Sequence, residues 1–92
     1  MDWAKAVPND PVYQKAARLA RTIASDIALY NPDLVDRGVK EGNFYELLAK
    51  DIDDGRRHYM SKVSPEIQAT ADYFKLALDD IIAKRRKKLG PF

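Results

Sequence analysis

Three of the five prolines stand directly behind a residue suited to begin a helix, at Asp10-Pro11, Asn31-Pro32 and Ser64-Pro65. A proline at the first helical position lacks an N–H that the helix start leaves unpaired anyway, and its fixed φ suits the helix. The side-chain oxygen of Asp, Asn or Ser can accept one of the N–H groups that remain. The same proline disfavours helical geometry in the residue before it, so each pair also closes whatever helix precedes it. Such punctuation divides the chain into helical stretches joined by short links, and it predicts an all-α fold.

Apolar spacing supports that division. After Pro11, Val12, Ala16, Leu19, Ala20, Ile23, Ile27 and Tyr30 recur in steps of three and four, one face of a helix that ends at Asn31. A short second helix runs through Leu34, Val35 and Val39 to Gly42, with Gly38 weakening its middle. Asn43 and Glu46 have the spacing of a capping box, opening a third helix that turns Phe44, Leu47, Leu48, Ile52, Tyr59 and Val63 inward. Gly55 falls on that stripe at a cost of about 1 kcal/mol against alanine, which suggests that another helix approaches closely there. Behind Ser64-Pro65, a fourth helix buries Ile67, Ala71, Phe74, Leu78, Ile81 and Ile82 before Gly90-Pro91 stops it. The expected architecture is a small bundle of three long helices plus one short helix that bridges one end. It divides into an N-terminal segment (1–9), the bundle (10–83) and a basic C-terminal tail (84–92).

Composition bounds the chemistry. The chain has 92 residues, 46% of them hydrophobic and 33% charged, the balance of one globular domain. With no cysteine there is no disulfide, thiol nucleophile or cysteine-ligated metal. No basic stretch followed by an apolar run opens the chain and no window is long and apolar enough to span a membrane, so a cytoplasmic protein is expected. His58 is the single histidine, and it sits mid-helix without a nucleophile evident beside it in the sequence. One histidine cannot supply the paired motifs of a di-iron bundle. Asp51-Ile52-Asp53-Asp54-Gly55 fails the calcium-loop spacing, since Arg56 and Lys62 stand where Gly and Glu are needed. The glycines are too scattered to cradle a phosphate. These readings lead to an expectation of no catalytic residues, no metal and no cofactor.

The formal charge of +2 hides an asymmetry, for Lys84, Arg85, Arg86, Lys87 and Lys88 leave a net −3 on the rest of the chain. This run can contact nucleic-acid phosphates, an anionic membrane surface or an acidic protein, or can simply complement the negative end of its own helix. Without interleaved aromatics, any nucleic-acid contact would be independent of sequence. Trp3 either folds back on the bundle or docks into another subunit. Arg21, Asp26, Arg56 and Arg57 are candidates for a polar network. A salt bridge from Asp26 to one of these arginines would fix the orientation of two helices, and separate solvated charges are the alternative.

Residues Ala17-Arg18-Leu19-Ala20-Arg21-Thr22-Ile23-Ala24-Ser25-Asp26-Ile27-Ala28-Leu29-Tyr30-Asn31, Gly42-Asn43-Phe44-Tyr45-Glu46-Leu47-Leu48, Gly55-Arg56-Arg57 with Tyr59, and Asp72-Tyr73-Phe74 together carry a resemblance. They resemble a helical domain of uncharacterised deltaproteobacterial and acidobacterial proteins, which often follows a zinc-ribbon or response-regulator-like domain. The resemblance covers residues 16–82 and implies an accessory, signalling-linked or scaffolding module. It brings no catalytic residues with it, and this chain lacks the cysteines of a zinc ribbon. The expected function is therefore a non-catalytic protein–protein adaptor that associates with itself or another protein. The alternative is a nucleic-acid-associated protein that uses the basic run.

Overall fold

The computed structural model describes residues 3–90, and among them it is all-α with no strand. After a short 3-10 turn at Trp3–Ala6 come α1 (Pro11–Tyr30), α2 (Pro32–Glu41), α3 (Phe44–Leu47), α4 (Ala49–Lys62), α5 (Pro65–Thr70) and α6 (Tyr73–Leu89). Every proline expected to begin a helix does so: Pro11, Pro32 and Pro65 open α1, α2 and α5. The stop assigned to Pro91 lies outside the described residues, as do positions 1 and 2 of the N-terminal segment and 91 and 92 of the basic tail. The extents, 39 × 28 × 19 Å, make the body about two helices thick. Helix α1 packs between α4 and α6, while α2 and α3 close one end against α6.

Six α-helices replace the expected three long and one short, because both later helices are broken. The third breaks at Leu48, whose backbone (φ −107°, ψ 17°) leaves regular helix. That turn lets Phe44 bury its ring against α2 at Gly38, where an added Cβ would stand 2.7 Å from the Phe44 Cα. Gly38 is therefore a crossing point rather than a mere weakness in α2. The expected capping box does not form. The Asn43 N–H bonds the Gly38 carbonyl instead, and the Asn43 side chain makes no cap. The fourth helix breaks at Ala71, which is extended (φ −161°), and restarts where Asp72 accepts the Lys75 N–H at 3.1 Å. An Asp side chain that bonds its own backbone competes with helix continuation, the physical basis of its capping role. Beyond that restart α6 carries the basic run to Leu89, so Lys84 to Lys88 lie on a helix and Leu89 packs against the core.

The largest difference from expectation is the face that α1 turns inward. Its buried residues are Ala16, Ala17, Ala20, Ala24 and Ile27. Val12 and Tyr30, expected inside, are 59% and 79% exposed, and Leu19 and Ile23 are only half-buried. Small residues on the inner face let the neighbouring helices approach α1 closely. The large apolar residues are thereby left along the seam.

Close approach joins three helices at Gly55 of α4. A Cβ there would meet Ile23 Cγ2 at 2.9 Å, Ile27 Cδ1 at 3.1 Å and Phe74 Cζ at 3.1 Å, so α1, α4 and α6 converge on one missing side chain. Phe74 is fully buried and stacks on Tyr59 with centroids 6.0 Å apart. Gly55→Ala gains about 1 kcal/mol of helix propensity but overpacks a site whose nearest atom is a stiff β-branched methyl, at about 1–3 kcal/mol. The expected result is a net loss of about 1 kcal/mol in chemical denaturation. A variant more stable than the natural chain would show that the three helices do not meet there.

Candidate functional site

The polar candidates are brought together differently from expectation. Arg56 of α4 pairs not with Asp26 but with Asp72, its Nη1 donating to Oδ2 at 3.0 Å, and its guanidinium lies 5.1 Å from the Phe74 ring centroid. One arginine thus ties α4 to the residue that begins α6. Arg57 pairs locally with Asp54 on the same helix. Arg21 lies 5.5 Å from the Trp3 ring centroid, and Trp3 stacks on Tyr73 at 5.9 Å. Trp3 therefore folds back on the bundle, between α1 and α6. Asp26 is exposed and makes no ion pair among the described residues. The inter-helix tie expected of it is made by Asn31, whose Nδ2 donates both to the Ile27 carbonyl and to Asp51 Oδ2, each at 2.8 Å.

The basic run is partly neutralised. Lys84 pairs with Asp80 one turn back, and Arg85 reaches Asp36 of α2. Arg86, Lys87 and Lys88 remain exposed in the last turn of α6, where they suit the negative end of the helix.

Titratable groups in and around the core are set to hold their protons or act as acceptors. Burial and the nearby Asp72 charge push the Tyr59 phenol upward, a backbone contact at Tyr73 offsets part of this, and among the described residues the hydroxyl makes no well-formed hydrogen bond. Burial and a hydrogen bond to Asp79 push Tyr45 up as well. Desolvation pushes Asp79 upward, but hydrogen bonds from Lys75 and Tyr45 outweigh it and hold the carboxyl below its usual range. The hydroxyl of Ser61, close to His58 in sequence, donates to the His58 backbone carbonyl at 2.7 Å rather than to an imidazole. Among the described residues no three His, Asp or Glu side chains are grouped to hold a metal ion. No helix described is long and apolar enough to cross a membrane.

What the surface does offer is a groove along the seam of α1 and α4. One half, of about 510 Å³, is lined by Val12, Ala16, Leu19, Val63 and Ile67, with Lys15, His58 and Lys62 on its walls. The other, of about 440 Å³, continues over Ile23, Ile27 and Tyr30 between Asp26, Asp51 and Asp54. The halves share Leu19 and His58. The two helices run antiparallel, as the Asn31–Asp51 bond and the Ile23–Gly55 approach require. Cations therefore gather at one end of the groove and carboxylates at the other. Lys15 and Lys62 were not among the candidate residues in the sequence. Only the unusually large apolar residues of an otherwise alanine-rich helix hinted at this surface.

Compared with protein-family models, curated proteins and solved structures, the chain has no significant match among any of them.

The Arg56–Asp72 link generates a test. Asp72→Ala removes a cap worth about 0.5–2 kcal/mol and a half-exposed ion pair worth about 0–1 kcal/mol. Asp72→Ser keeps a capping oxygen and loses only the ion pair. Denaturation should rank the natural chain above Asp72→Ser and Asp72→Ser above Asp72→Ala; equal stability of all three would show that α6 does not depend on this cap.

Proposed function

We propose that this protein is a non-catalytic interaction module whose working surface is the α1/α4 groove, bound by an apolar helix face. The observation that carries the reading is the position of Val12, Leu19, Ile23 and Tyr30. These large apolar side chains line an open channel while alanines fill the core beneath them. Apolar surface concentrated in a concave seam is the usual form of a helix-in-groove site. An adaptor role linked to signalling, as the resemblance implies, and a cytoplasmic setting both belong to this proposal.

The alternative reading, phosphate binding by the basic run, rests on Arg86, Lys87 and Lys88, because Lys84 and Arg85 already have carboxylate partners. Three contacts predict a salt slope of about −2.7, or roughly a 40-fold loss of affinity between 50 and 200 mM salt.

Amide chemical-shift titration separates the two. A synthetic amphipathic Leu/Ala helix should shift groove residues such as Leu19, His58 and Val63 and leave the end of α6 unmoved, and a short DNA duplex should shift nothing. Duplex-induced shifts confined to Arg86–Lys88 with the stated salt slope would favour the alternative. Silence in the groove at millimolar peptide, with the protein at a concentration where it sediments as a monomer, would sink the preferred reading.

A further inference from the structure

We propose that the occupant of the groove is a second copy of this chain, docked antiparallel about a two-fold axis that passes beside Leu19 and His58. The inference rests on the groove reading above and names its partner. Lys15 and Lys62 mark one end of the groove, and Asp26, Asp51 and Asp54 the other. On α4 the midpoint between Asp54 and Lys62 is His58, and on α1 the midpoint between Lys15 and Asp26 falls between Ala20 and Arg21, level on the groove face with the gap between Leu19 and Ile23. Leu19 and His58 are the residues that both halves of the groove share. A two-fold axis there sets Lys15 of each copy against Asp26 of the other, and Lys62 against Asp54, whose carboxylate also pairs with Arg57 of its own helix. A parallel pairing would set lysine on lysine and carboxylate on carboxylate. Two-fold interfaces require a surface complementary to itself, and a groove with opposite charges about equidistant from a centre between Leu19, Ile23 and His58 meets that condition.

Shape agrees with charge. Val12 and Tyr30 project at opposite ends of the groove, 59% and 79% exposed. The same rotation brings Val12 of one copy beside Tyr30 of the other and covers both, with the half-buried Leu19 and Ile23 at the centre. Asp26, exposed and unpaired among the described residues, would acquire a cation across the interface rather than within its own chain.

The test uses two charge variants of the full chain, all at exposed positions. Lys15→Glu with Lys62→Glu makes the groove acidic throughout, and Asp26→Lys with Asp54→Lys makes it basic except at Asp51, which Asn31 already holds. Sedimentation equilibrium should show the natural chain dimerising, with each variant alone at least about tenfold weaker, a change of about 1.4 kcal/mol. Mixing the two variants should produce a heterodimer tighter than the natural dimer. Helical circular dichroism checks that each is folded, and Val12→Glu provides an independent variant that should weaken the natural dimer at least about fivefold. A natural chain that stays monomeric at about 1 mM overturns the self-docking inference, while the peptide titration above decides the groove reading separately. A dimer that survives both charge variants and Val12→Glu, or a mixture that forms no heterodimer, places any self-association elsewhere and overturns this interface.

Discussion

The missing side chain of Gly55 lets three helices touch at one point, and the rest of the molecule is arranged around that contact. Ile23 and Ile27 from α1 and Phe74 from α6 occupy the space that any Cβ would take, within 3.1 Å of where it would stand. Drawing α4 this close lets Tyr59 stack on Phe74 and brings Arg56 over the same ring and onto Asp72. It also sets the depth of the groove, because Gly55 lies on the floor of its acidic half. A larger residue there would push the helices apart and change core and surface together.

Helix α1 shows why this arrangement produces a binding surface. An alanine-rich face is a good helix former and permits close packing, but it buries little apolar area per residue. The larger residues on the adjoining face are left half in and half out of the body. Elsewhere the ends of the helices are tied by directed bonds: Asn31 to Asp51, Gln68 to the carbonyls of Met60 and Val63, and Arg85 to Asp36. These are part-buried or exposed contacts of modest individual worth. Among the described residues the groove is tied across only at its acidic end, by Asn31 and Asp51, which leaves the apolar walls between there and Val12 available to a partner.

Helix starts at Pro11, Pro32 and Pro65 were legible because proline and its preceding cap act through local sterics and hydrogen bonding. So was the role of Gly55, since a glycine amid good helix formers implies a neighbour. The breaks at Leu48 and Ala71 were not legible. Leu48 turns because Phe44 packs across Gly38, a tertiary contact without a local signature, and the cap at Asp72 is drawn to an arginine 16 residues earlier. Periodicity placed Val12 and Tyr30 on the same stripe as Ala20, but it carries no information on which edge of a wide stripe faces the centre. For the same reason Asp26 was matched with arginines inside the chain, when the groove places it at an acidic rim facing outward. The basic run was visible as charge, and only the fold shows that Asp80 and Asp36 already occupy two of its five cations.

Function in this account depends on one geometric property, the near-equal spacing of opposite charges about His58 on α4 and about the gap between Leu19 and Ile23 on α1. Because the chain contains no cysteine, one introduced at Asn9, exposed just ahead of α1, can carry a single spin label without removing a natural contact in the groove. Pulsed dipolar spectroscopy on that labelled chain measures the separation of the two labels in a dimer. The antiparallel arrangement predicts a distance of roughly 35 Å, from the rise of α1 on both sides of the axis. A distance of roughly 15 Å, as in a parallel pair, or no dipolar signal at concentrations where the chain sediments as a dimer, would contradict it.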